Sequence, residues 1–173
     1  MKNIAVIYHD ADFDGILSNE VCRHWLRRLY PDASIHSYGW DYGRPVPTVF
    51  DGCGGDAEDG NPTEWAGYDL IYIVDLSVDE LMARQELQPK IEKWDATPSD
   101  AEPEPGCFDG YRIDGVAACR LCWQWFVAML SVGNELLPEK QDFINRRVSE
   151  PELIRLAGEY DIWVHSDPDA KNL

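Results

Sequence analysis

Ile4-Ala5-Val6-Ile7-Tyr8-His9-Asp10-Ala11-Asp12-Phe13-Asp14-Gly15 is the stretch whose reading decides the fold. Its opening run is apolar and mostly β-branched, as in a strand buried on both faces, and it stops at a histidine and a set of aspartates. Gly15 then permits a tight turn into a helix over 16–29. Along that helix Ile16, Leu17, Val21, Trp25, Leu26 and Leu29 recur at helical spacing, leaving Arg23, Arg27 and Arg28 for solvent. A strand that delivers acids to its carboxyl end and turns into a helix is the opening unit of a parallel α/β sheet.

The rest of the chain repeats that unit. Pro31-Asp32 ends the helix, 33–38 reads as a second strand, and 39–47 is a turn-rich connection containing Gly43, Pro45 and Pro47. Residues 51–61, DGCGGDAEDGN, read as a solvated loop, because they lack the ligand spacing and closing glutamate of a calcium site. Asp69 to Val74 is the clearest strand of all, and it runs into Asp75. Ser77-Val78-Asp79-Glu80 has the polar, acidic start of a helix, which continues through Leu81, Met82 and Leu87 to Pro89. Residues 97–106, TPSDAEPEPG, read as a linker or mobile loop. A long apolar helix follows over 115–132, then a short one over 151–158 that leads into Tyr160-Asp161-Ile162-Trp163. With no internal repeat, the expected fold is one α/β domain over 1–173, a mainly parallel sheet flanked by helices whose right-handed crossovers put the strand ends on one edge.

Charge narrows the partners. With 15 basic and 32 acidic side chains the net charge is −17, which opposes duplex DNA, since such binding relies on Lys and Arg displacing counterions. Small phosphorylated substrates or short single strands remain compatible if a metal or local cation offsets the field. The apolar runs are too short for a membrane helix, and the N-terminus lacks a signal-peptide core, so a soluble, cytoplasmic protein is expected. The 5 cysteines are an odd number, consistent with reduced thiols. Cys119 and Cys122 form a C-x-x-C inside an apolar helix, where core packing is the expected role.

Ligands of open α/β sheets bind outside the carboxyl ends of the strands. His9, Asp12 and Asp14 follow the first strand there and Asp75 follows the third. Several carboxylates converging with one imidazole repel one another unless a cation lies between them. Oxygen-rich ligation with one histidine suits Mn²⁺ or Mg²⁺ better than zinc. Arg44, among Tyr38, Trp40 and Tyr42, is a candidate phosphate or base contact, with aromatic packing as its alternative role. Asp10 reads as exposed or supporting, His24 as rim, and Trp123 and Trp125 as core. His36 and His165 lie in no motif.

His9 to Gly15 after IAVIY resembles the first motif of the DHH phosphoesterase superfamily, and Ile71-Tyr72-Ile73-Val74-Asp75-Leu76-Ser77 resembles its second. Glu159-Tyr160-Asp161-Ile162-Trp163 resembles the fourth, so the resemblance runs from Ile4 to Trp163. It implies a DHH-type N-terminal domain in which His9 and Asp12 hold one metal, Asp14 holds the second, Asp75 bridges them and Asp161 completes the second site. Two Mn²⁺ ions would then activate water for phosphodiester or phosphoanhydride hydrolysis, with Asp14 and Asp75 at the reacting centre. Short oligonucleotides or cyclic dinucleotides are the implied substrates, and pyrophosphate or polyphosphate the next.

The third motif, Asp-His-His, does not occur. Where the family places it, just after Gln88-Pro89-Lys90-Ile91, the chain runs directly into Glu92-Lys93-Trp94-Asp95. A sheet lacking that strand is expected to have a hole. The smaller C-terminal substrate-binding domain of the family is expected to be absent too, since the sequence stops at Leu173. Two alternatives stand beside the enzyme. One is an inactive metal-binding module. The other is a receiver-type signalling domain, which also uses acids after strand one and an aspartate after strand three but needs a lysine at a later strand end.

Overall fold

A computed structural model describes residues 1–44, 67–76, 91–93, 111–131, 137–164 and 167–172. Strand β1 (Asn3–His9) leads into helix α1 (Phe13–Leu29), and β2 (Ser34–Trp40), β3 (Leu70–Val74) and the short β4 (Ile91–Lys93) follow. Helices α2 (Ala118–Leu130), α3 (Lys140–Ile144) and α4 (Glu152–Asp161) come next, then a 3-10 turn over Pro168–Asn172. The strands form one 4-stranded sheet in the order β2-β1-β3-β4. Every pairing is parallel. The α/β expectation holds, and no described helix is long and apolar enough to cross a membrane.

The described sheet has no hole at that place. Ile91–Lys93 pairs with β3, setting Ile71 against Ile91 and Ile73 against Lys93, so a strand occupies the place where the third motif was sought. Three further expectations shift in detail. β2 runs on to Trp40, because its backbone continues to pair with β1 as far as His9. The apolar helix begins at Ala118 rather than Gly115, whose φ of +73° is not helical. Ile16, counted on the buried face of α1, is exposed, and Ser18 and Asn19 are buried in its place. The Ser37 hydroxyl donates to Asn19 Oδ1 at 2.7 Å, which makes the burial of Asn19 tolerable. The loop at 51–61, the helix after Ser77, the linker at 97–106 and His165 lie outside the described residues.

The central strands are apolar on both faces. Ile4, Val6, Tyr72 and Val74 face α1 and α2, packing with Leu26, Phe126 and Cys122 into one core. Ala5, Ile7, Ile71 and Ile73 alternate onto the other face and are equally buried. Each buried isoleucine or valine contributes roughly 1.5–3 kcal/mol, so this pair of strands is the rigid base for whatever lies at its carboxyl end. Trp123 and Trp125 are partly buried against the same core. The C-x-x-C thiols are packed as expected. Burial pushes the Cys119 thiol well above its ordinary range, and a hydrogen bond with Cys22, reinforced by burial, does so for Cys122.

A candidate metal centre at the ends of β1 and β3

The strand order creates a crevice. From β1 the chain crosses to β2 on one side and to β3 on the other, so the order reverses between β1 and β3, which is where open α/β sheets bind ligands. His9 ends β1 and Asp75 follows β3, so the two lie on either side of that point. Asp75 has φ +56°, a left-handed conformation uncommon for a residue with a side chain and one that aspartate tolerates better than most.

Asp12 arrives by a different device. It is the N-cap of α1, and its Oδ1 accepts the Gly15 N–H at 2.9 Å. A Cβ on Gly15 would collide with the His9 carbonyl, so glycine lets the first turn of α1 press against the end of β1. The cap leaves Asp12 Oδ2 free to approach His9, at 2.7 Å from Nδ1. Asp75 Oδ2 lies 3.5 Å from the same nitrogen. One ligand atom from each of His9, Asp12 and Asp75 lies within 4.8 Å of the other two, the single such group among the described residues.

Both ring nitrogens of His9 face carboxylates. Nε2 is 3.1 Å from Asp41 Oδ1, while Nδ1 faces Asp12 and Asp75. A neutral imidazole has one N–H. Once that hydrogen is given to Asp41, the Nδ1 lone pair points at two carboxylates, an arrangement that a cation between the three groups resolves. Carboxylate, histidine and metal in line is a recurring way to orient a ligating imidazole. The donor set therefore fits one divalent ion. Asp41 was not singled out in the sequence. It lies just beyond β2 in a turn, and only the β1–β2 register brings it beside His9. The hydrogen bond with His9 holds its carboxyl below the usual range, with help from Arg44.

The other anticipated residues surround this group without joining it. Asp14 was read as a ligand of the second metal. It is buried, and its two oxygens accept the Ala118 and Cys119 N–H groups at 2.8 and 3.0 Å, so it anchors the N-terminus of α2. Burial raises its carboxyl above the usual value despite those bonds. Asp161 is the last residue of α4. Partial desolvation and then the charges of Asp14 and Asp12 push it up to about 6, while His9 pulls the other way, so it shares the field of the cluster.

Arg44 is committed to acids. Its Nη1 is 3.0 Å from Asp10 Oδ2 and its Nη2 3.4 Å from Asp41 Oδ2, with the guanidinium half exposed at the rim. Asp10 is thereby a supporting residue, as expected. His36 is mid-strand with its ring edge-on to Tyr68, away from the carboxyl end, and His24 is an exposed rim residue against Trp25 and Trp123. Compared with models of protein families and with curated proteins, the chain matches none.

Proposed function

We propose that the chain is a Mn²⁺- or Mg²⁺-dependent phosphodiesterase acting on a short oligonucleotide or a cyclic dinucleotide. The observation that carries this reading is the convergence of His9, Asp12 and Asp75 at the point where the strand order reverses. A divalent ion held there supplies charge neutralisation at a phosphoryl oxygen and a water of lowered pKa. Asp41 fixes the tautomer of His9 so that Nδ1 faces the ligand group, and Gly15 and the N-cap bond hold Asp12 to it. These residues account for one ion. The second ion implied by the DHH resemblance depends on Asp14 leaving the α2 amides and joining Asp161.

The rim favours a substrate that carries bases. Phe13 stands between Asp12 and Asp14, Tyr42 packs 5.7 Å from His9, and Trp163 follows Asp161 closely; they are 43%, 51% and 77% exposed. Trp163 stacks on Tyr160 at 6.3 Å with φ +56°. Exposed aromatics at a phosphate-handling site suit base stacking, worth about 1–3 kcal/mol per base. Pyrophosphate and polyphosphate have nothing to stack.

Mn²⁺ titration together with hydrolysis of a 5′-phosphorylated dinucleotide and of pyrophosphate tests the reading. The dinucleotide should be cleaved, Asp75→Asn should abolish cleavage, and Asp41→Asn should weaken Mn²⁺ binding by about 10–100-fold. Cleavage of pyrophosphate alone would move the substrate to phosphoanhydrides. Mn²⁺ binding indifferent to Asp75→Asn would sink the metal centre. The order β2-β1-β3-β4 with an aspartate after β3 also suits a receiver domain, and labelling of Asp75 by acetyl phosphate without hydrolysis of either substrate would select that reading.

A further inference from the structure

A second concavity lies beyond the metal centre, between the start of α2, the short α3 and the end of α4. It has a volume of about 220 Å³ and is walled by Val116, Phe143, Ile144, Ile162 and Val164, with Arg120 and Lys140 as its cations. Both cations are seated on glycines. The Arg120 stem packs over Gly158, where a Cβ would collide with Cδ and Cγ. Lys140 Nζ lies 2.9 Å from where a Cβ of Gly115 would be.

The charges are unequally compensated. Arg120 is buried and paired with the buried side chain of Glu150 through Nε and Nη2, and Nη2 also donates to the Phe143 carbonyl. Among the described residues no acceptor faces its Nη1. Glu159, the acid of the wall, is taken up by Arg155 at 3.1 Å and Arg146 at 3.6 Å. The acids flanking Lys140 are turned elsewhere. Asp142 Oδ2 accepts the Glu139 N–H at 3.1 Å, and no described carboxylate pairs with Lys140. The cavity thus combines apolar walls, an ammonium that no described carboxylate pairs and a guanidinium whose Nη1 has no described acceptor, in a protein of net charge −17.

We infer that this cavity is a binding site for a small aromatic monoanion, with the ring against Val116, Ile144, Ile162 and Val164 and the acidic group between Lys140 and Arg120. An apolar cavity of roughly 150 Å³ holds a benzene ring, so the volume here accommodates a ring with one acidic substituent. Lys140 is the cation of the wall that no described carboxylate pairs, which suits one acidic group rather than a long polyanion. The site does not rest on the metal centre, although its walls adjoin it. Ile162 follows Asp161, and Val116 shortly precedes the Ala118 amide that holds Asp14.

Benzoate is the probe, followed through the methyl resonances of Val116, Ile144, Ile162 and Val164 in the full chain. Benzoate should shift these methyls saturably. Benzamide, the neutral isostere, should bind about tenfold more weakly, and Lys140→Gln should weaken benzoate by about the same factor, as loss of one charge-assisted bond requires. Ile144→Trp fills the cavity from its exposed side and should abolish the shifts while leaving the fold intact. Cavity methyls that do not move at millimolar benzoate, or benzoate shifts unchanged by Lys140→Gln, would overturn the proposal.

Discussion

Two ends of this molecule are built from the same residue types with opposite results. Around α2 and α4 three acids meet arginines: Glu150 pairs with Arg120, and Glu159 and Asp167 share Arg155 and Arg146. At the ends of β1 and β3, one imidazole stands against Asp12, Asp41 and Asp75, and the nearest guanidinium, Arg44, reaches only the outer acids, Asp10 and Asp41. Charges that are closed by partners stabilise a fold. Several acids gathered on one imidazole raise the local negative potential, which an ion or a substrate cation can offset.

The largest effect expected from this contrast is on the closed side. Arg120→Met should destabilise the domain by about 3–5 kcal/mol, because it leaves Glu150 buried without its cation. Urea unfolding measures it, and a loss below about 1 kcal/mol would show that Glu150 is less enclosed than its 3% side-chain exposure implies.

A smaller effect separates two acids that look alike in sequence. Asp14→Ala leaves two buried N–H groups of α2 without acceptors and should cost about 1–3 kcal/mol. Asp75→Asn removes a charge from the partly buried cluster, keeps a residue type that tolerates the left-handed φ, and should leave stability nearly unchanged while Mn²⁺ binding is lost. Equal stability of the two variants would mean that Asp14 is not an anchor of α2 and would return it to the ligand set.

The smallest effect is a difference of sign with pH in the metal-free protein. Asp167 is held below the usual carboxylate range, mainly by the Asp169 N–H and the Arg155 side chain. Its contribution to stability is therefore present above its unfolded pKa and lost as pH falls through the lower folded one. Asp161 is raised to about 6, so its ionisation works against the fold, and stability should decline as pH rises from about 4 toward 6. Thermal melts of Asp161→Asn between about pH 4 and 6 and of Asp167→Asn below about pH 4 should lose slopes of opposite sign. The same change in both would break the comparison between the two ends.

Much of the candidate site was legible because it is local. A β-branched run that stops at His9 and another that stops at Asp75 mark the carboxyl ends of two parallel strands, and those ends share an edge in any right-handed α/β sheet. Asp12 was legible as a candidate for the same reason, although the bond that holds it, the cap on Gly15, is a helix property. Asp14 was misplaced. Its spacing is that of a ligand, but its partners are amides more than a hundred residues away in α2, beyond the reach of any local pattern. Asp41 lay in an unremarkable turn, and its role exists only through the β1–β2 register. Arg120 stands within an apolar helix, and what accommodates it, Glu150 and the space left by Gly158, lies on distant segments.

By itself the sequence determined the parallel α/β class, the two strand ends that carry acids and the net charge of −17. The first two follow from the short-range rules of burial periodicity and turn chemistry. Only the tertiary structure decided the strand order, which puts the reversal between β1 and β3, and the allocation of each acid to an ion pair, a helix end or the open cluster. That allocation depends on which cation or N–H lies within hydrogen-bonding distance, and long-range packing sets that distance.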